Sequence, residues 1–215
     1  MAHVHPVLGI ILFQLRHFGV DEVVLAVGHM SQLFQAFFQH GERYDLRIHY
    51  SFEAEPLGTA GPLSLLIDQM NEDFLVVNGD LLTTLNYRNM HEYHCRHKAA
   101  ATIGLYEREV KIDFGVIETG KDSELERYTE KPTLRFNVSM GVNVLNPDTI
   151  RPYITPNKPL DLPDLMMRLH NDGHRVLCYS EPCYWLDIGR LEDYAKANEV
   201  FESREREFIP NKKNP

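Results

Sequence analysis

The 215 residues are 43% hydrophobic and 25% charged, with a formal net charge of −9. That suits one globular domain with a substantial core and excludes a basic track along a nucleic-acid backbone. No apolar run reaches the ~18 residues of a membrane span, the N-terminus lacks the charged-then-apolar layout of a secretory leader, and Cys95, Cys178 and Cys183 are too few and too irregular for a disulfide framework or a Cys-x-x-Cys metal site; a soluble protein in a reducing, cytoplasmic setting is expected.

Leu8, Ile11, Leu12, Leu15 and Phe18 recur at helical spacing up to Gly19, which supplies the stop. Glu22–Val27 then reads as a buried strand. Ser31 is the expected cap of a second amphipathic helix running through Phe38 and closed by Gly41, with Phe34, Phe37 and Phe38 on a packing face. Residues 46–52 alternate as a strand, with Leu46, Ile48 and Tyr50 on one side. The turn Leu57-Gly58-Thr59-Ala60-Gly61 is expected to open a helix over 63–70, leaving its backbone N–H groups free at a helix N-terminus, where anions and polar ligand edges are attracted.

Phe74–Val77 is a continuous apolar run, the pattern of a strand covered on both faces. Asp80 follows just past its C-terminal edge, where ligands of open α/β sheets bind. A polar helix near 87–98 and a strand over 100–106 continue the alternation. His91, His94 and His97 fall at i, i+3, i+6; no metal-binding motif joins them, so solvated helix faces are expected rather than zinc ligands. Short strands over 114–118, Leu125–Thr129 and 138–145, a helix over 162–170, a strand over 175–179, the run 184–189 and a helix over 191–202 complete the chain. The fold class expected is α/β: a mixed, mainly parallel, dinucleotide-fold-like sheet with helices on both faces and short antiparallel additions. One domain is expected over 1–202, with a charged tail over 203–215 that frays.

Five pieces stand in order: Pro56-Leu57-Gly58-Thr59-Ala60-Gly61, Asn78-Gly79-Asp80, Phe114-Gly115-Val116-Ile117-Glu118, Glu130-Lys131-Pro132 and Trp185-Leu186-Asp187-Ile188-Gly189. Each alone is ordinary turn or strand chemistry. As a set they closely resemble the sugar-phosphate nucleotidyltransferases, in which a sugar 1-phosphate oxygen attacks the α-phosphorus of a nucleoside triphosphate and pyrophosphate leaves. The resemblance implies that Asp80 and Asp187 hold a Mg²⁺ ion and that Lys131 contacts the sugar phosphate. It implies that Glu130 binds sugar hydroxyls, that Gly115 and Gly141 border the sugar, and that Gly58, Thr59, Ala60 and Gly61 approach the base and ribose. Asn78 and Gly79 would shape the turn presenting Asp80. Pro132 should hold Lys131 extended. Trp185 could stack on a sugar, although a lone Trp beside a buried strand is more often core. Partners implied are an NTP and a sugar 1-phosphate, with mannose, heptose or glucose favoured and a homo-oligomer left open; Ser139, where many members carry Asn, leaves the sugar undecided.

The family's opening strand and its Gly-Gly-x-Gly-Thr-Arg-Leu loop have no counterpart here, and His5 falls where relatives have a Lys. A fragment, a mis-started gene or a degenerate paralogue is therefore expected, with the first central strand missing and unpaired backbone on Glu22–Val27 and Phe74–Val77. An alternative to the enzyme is a non-catalytic nucleotide-sugar-binding subunit.

Overall fold

The computed structural model describes residues 6–28 and 30–209; His5 and the last residues of the expected tail lie outside them. Helix α1 (Val7–His17) leads into β1 (Glu22–Val27), α2 (Ser31–Phe38) and β2 (Arg47–Phe52), and β1 and β2 pair in parallel. Ser31 is the first helical residue, not the cap: Met30 takes that place in a left-handed conformation with no side-chain bond. Phe38 is buried, whereas Phe37 stays half exposed. No α-helix follows Gly61. Two short 3-10 turns, Gly61–Leu65 and Ile67–Gln69, stand in its place, with Pro62 in the first.

Strand β3 (Phe74–Val77) and the short β4 (Leu81–Thr83) flank the turn that bears Asp80, and α3 (Tyr87–His97) follows. Two long strands, β5 (Ala101–Lys111) and β8 (Thr133–Leu145), pair antiparallel. Between them in sequence lies the hairpin of β6 (Val116–Thr119) and β7 (Leu125–Thr129). Helix α4 (Pro147–Ile150) and helix α5 (Leu162–Asn171) lead to β9 (Val176–Tyr179), β10 (Trp185–Asp187) and α6 (Leu191–Phe208).

The main sheet has the order β3-β8-β5-β9, and β10 pairs with β4. The mixed α/β architecture is as expected, but antiparallel pairing carries more of it than the helix–strand alternation suggests: among the described residues only β1·β2 and β5·β9 run parallel. Among the described residues β1 pairs only with β2, and β3 only with β8. One edge of each therefore lacks a strand, although Val23 of β1 and Leu75 and Val77 of β3 pack on the same apolar cluster as Ile11, Leu15 and Leu81.

A second cluster, Ile10, Leu82, Ala197, Phe208 and Ile209, fastens α6 over β4 and β10. This corrects the fraying expected from residue 203: α6 runs to Phe208, whose ring is 0% exposed. The charged residues that suggested a tail are the helix's outer face. Arg204 interrupts helical geometry there and lies over the Tyr184 ring at 5.2 Å. Among the described residues no helix is long and apolar enough to cross a membrane.

Candidate functional site

Asp80, on the turn before β4, and Asp187, the last residue of β10, are neighbours because β4 and β10 pair antiparallel with Asp187 opposite Leu81, and the Ile188 N–H donates to the Asp80 carbonyl at 3.0 Å. Two aspartates 107 positions apart in sequence thus come near enough for the charge of one to act on the other. Partial burial, then the nearby charge of Asp80 and that of Asp193, raise the Asp187 carboxyl above its ordinary range. Like charges held together favour a proton or a cation between them. Hard carboxylate oxygens with open space beside them fit Mg²⁺, which usually takes one or two protein carboxylates and keeps its other positions for water and phosphate.

Asn78 and Gly141 stand next to this pair. The Asn78 N–H donates to the Gly141 carbonyl at 2.9 Å. Gly141 adopts φ +72 within the irregular stretch where β8 slips register against β5, and a Cβ there would sit 2.7 Å from Asn78 Nδ2. Only glycine meets both demands without strain. Trp185 faces inward, donating its indole N–H to the Met140 carbonyl at 2.9 Å and lying 5.2 Å from the Tyr106 ring. It is a packing residue, so the sugar-stacking alternative is not what this geometry offers.

Gly115, Glu130 and Lys131 form a second group at the base of the β6–β7 hairpin. A Cβ on Gly115 would lie 3.0 Å from Glu130 Oε2, which accepts from the Tyr128 hydroxyl at 3.3 Å. Lys131 is not extended as Pro132 suggested. Its φ is +45, and it turns the chain between β7 and β8. Eight residue steps along β8 lead from Thr133 to Gly141, about 26 Å of strand contour at ~3.3 Å per residue, so this second group stands away along the ribbon from Gly141 and Asn78.

The 57–61 loop differs most from expectation. Its N–H groups are not free: Thr59 donates to Asp161 Oδ1 at 3.0 Å, and Ala60 and Gly61 donate to the Leu160 carbonyl at 2.8 and 2.9 Å. The Leu57 N–H goes to Glu53 Oε2 at 3.0 Å. An anion cradle is therefore absent here. Ala60 and Gly61 are buried, and Gly58 and Thr59 are the exposed part of the loop. Asp161 went unnoticed in the sequence because an Asp before Leu-Pro reads as a helix cap, and nothing in the linear pattern ties it to a threonine about a hundred residues upstream.

The α3 histidines are not solvated as a set. His94 is 0% exposed, with Nδ1 2.8 Å from Thr102 Oγ1; His91 Nε2 lies 3.1 Å from the Asp73 carbonyl and His97 Nδ1 2.8 Å from that of Tyr93. Helix α3 packs on β5 and β8, and its third-turn histidine is carried inward.

Comparison with known proteins identifies relatives. The family model described as Nucleotidyl transferase matches residues 1–204. A mannose-1-phosphate guanyltransferase of Schizosaccharomyces pombe is 30% identical over 203 residues, covering 89% of this chain and 54% of the relative. A UTP–glucose-1-phosphate uridylyltransferase of Synechocystis is 29% identical over 220 residues, covering 93% and 56%. The chain thus spans about half the length of the curated relatives it matches. Among solved structures, one described as a putative glucose-1-phosphate thymidylyltransferase from Bacillus anthracis superposes with a TM-score of 0.71 at 18% identity, covering 91% of this chain and 82% of that one. HddC from Yersinia pseudotuberculosis, complexed with GMP-PN, superposes at 0.67 with 20% identity, covering 94% and 93%. At these identities the superpositions speak to the fold.

Proposed function

Since the chain belongs to the nucleotidyl transferase family, we propose that it carries the site for nucleotidyl transfer from an NTP to a sugar 1-phosphate, yielding a nucleoside-diphosphate sugar and pyrophosphate. The observation that carries the reading is the meeting of Asp80 and Asp187 across the β4–β10 ladder. In this reaction a sugar-phosphate oxygen forms a bond to the α-phosphorus while the bond from that phosphorus to the β-bridging oxygen breaks. Both reactants are anionic, so catalysis is chiefly charge neutralisation and alignment. Asp80 and Asp187 would hold Mg²⁺, which supplies positive charge to the phosphates when bound.

The remaining residues bind and orient. Asn78 and Gly79 shape the turn that presents Asp80, and Gly141 packs against Asn78. Glu130 offers an acceptor for sugar hydroxyls and Lys131 a cation for the sugar phosphate, while the missing side chain of Gly115 leaves room for the Tyr128 ring and hydroxyl beside Glu130. Gly58 and Thr59 present the exposed edge of their loop to the base or ribose, with Ala60 and Gly61 as its buried support.

A second reading is a subunit that binds the nucleotide sugar without turning it over. Pyrophosphate release, measured across four NTPs with mannose, glucose and heptose 1-phosphates, tests both. Mg²⁺-dependent release supports the enzyme; saturable nucleotide-sugar binding without release supports the subunit; the absence of both release and binding defeats the proposal.

A further inference from the structure

Helix α5 begins at Asp161, whose backbone is extended (φ −98, ψ 149) and whose side chain makes no bond to its own helix. An aspartate at that position ordinarily accepts from the amides of the first turn. Here its Oδ1 accepts instead from the Thr59 N–H at 3.0 Å and from the Thr59 hydroxyl at 3.3 Å. The Thr59 oxygen in turn accepts from the Leu162 N–H at 2.8 Å, one of the amides that the start of α5 leaves without a helical partner. Loop and helix therefore cap each other. The backbone completes the clasp: Ala60 and Gly61 donate to Leu160, and Leu160 donates back to Leu57 at 2.9 Å. Gly58 leaves room for it, since a Cβ there would sit 2.7 Å from Asp161 Oδ1 and 2.8 Å from the Leu160 carbonyl.

We infer that Asp161 is a positioning residue for nucleotide binding: through Thr59 it fixes the shape of the 57–61 loop while standing outside the reacting groups. The inference rests on the reading that this loop borders the nucleotide. The clasp spends three consecutive loop amides on protein acceptors, so the loop recognises its ligand with carbonyl oxygens and the exposed Gly58–Thr59 edge. Its complement is a donor-bearing base or ribose edge rather than a phosphate. Because Asp161 and Thr59 are both exposed, the carboxylate keeps its hydration, and the clasp serves local order more than global stability.

The test uses the full 215-residue chain and compares wild type with Asp161→Ala and Asp161→Asn, the latter keeping an acceptor oxygen. Amide hydrogen exchange is followed at residues 57–62, and the dissociation constants of ATP, GTP, UTP and dTTP are measured with MgCl₂. Asp161→Ala should speed exchange at Thr59 and Leu162 and weaken binding of the preferred nucleotide by about tenfold, the weight of one hydrogen bond to a charged group. Asp161→Asn should stay within about threefold of wild type. Where turnover is present, the loss should fall on the nucleotide KM and leave kcat within about threefold. Should Asp161→Ala fail to fold, Asp161→Gly, a residue that helix starts accept well, against Asp161→Asn poses the same comparison, with glycine expected to lose binding and asparagine to keep it. Wild-type affinity in Asp161→Ala, or an Asp161→Asn as weak as Asp161→Ala, overturns this inference alone. A wild-type chain that binds none of the four nucleotides overturns the nucleotide reading and this inference with it.

Discussion

Burial lowers the His94 pKa from its ordinary value, with Asp73 opposing and His91 adding to the effect. The unfolded chain therefore takes up a proton at a pH where the fold resists it. The stability tied to the neutral ring is complete above about pH 6.5 and is lost as pH falls toward the lower folded value. Urea melts between pH 7.5 and 5 should show a fall in midpoint that is shallower in His94→Gln; equal slopes would count against a neutral buried ring. At Gly141 the demand is conformational. Gly141→Ala should cost about 1–3 kcal/mol, since it places a Cβ at positive φ against Asn78, and equilibrium denaturation measures it. Asp80→Asn and Asp187→Asn should each remove Mg²⁺-dependent turnover from a chain that shows it while leaving far-ultraviolet dichroism unchanged. The Asp187 carboxyl is held above its usual range by burial and by Asp80, so its ionised form opposes folding at neutral pH. Neutralising either partner should thus raise the metal-free stability slightly, by less than ~1 kcal/mol at such exposed groups, read as a small upward shift in melting temperature.

Elements whose apolar spacing is self-contained were legible from the sequence: α1, β1, β3 and α5 lie within a residue or two of where periodicity sets them. Those that depend on distant partners were not. Residues 63–70 carry helical spacing but form two 3-10 turns, with Gly61 held by the Leu160 carbonyl and Pro62 in the first turn. β5 and β8 run far longer than their apolar cores because each supplies the other's ladder through the exposed, charged half of the ribbon, where Arg135 bridges Glu109 at 2.8 Å. The end of α6 was hidden by composition: Ser203 to Glu207 is polar, and the buried Phe208 comes only after it. Phe208→Ala should therefore destabilise the protein by about 3–5 kcal/mol, as for a fully buried aromatic, and loosen β4 and β10 beneath it. A thermal shift within error of wild type would show α6 to be peripheral.

For the whole molecule, the sequence supplied the ordered motifs and the nearness of Asp80 to a sheet edge. It could not supply the β4–β10 pairing that brings Asp187 to it, nor the clasp that closes the glycine loop, because each joins segments about a hundred residues apart, the first through backbone hydrogen bonds open to any residue and the second through backbone bonds and one Asp161–Thr59 side-chain pair. Gly115, Glu130 and Lys131 stand together at the far end of a ribbon whose length no motif encodes, while Gly141, expected with them beside the sugar, packs against Asn78 instead.

The bare flanks of β1 and β3 carry a practical consequence. Each presents a row of amide and carbonyl groups with no strand opposite among the described residues, and such a row is a template on which foreign chains can align. Concentrated solutions should accordingly grow turbid through strand-to-strand association between copies, and a short extended peptide rich in valine and isoleucine, supplied in excess, should keep them clear.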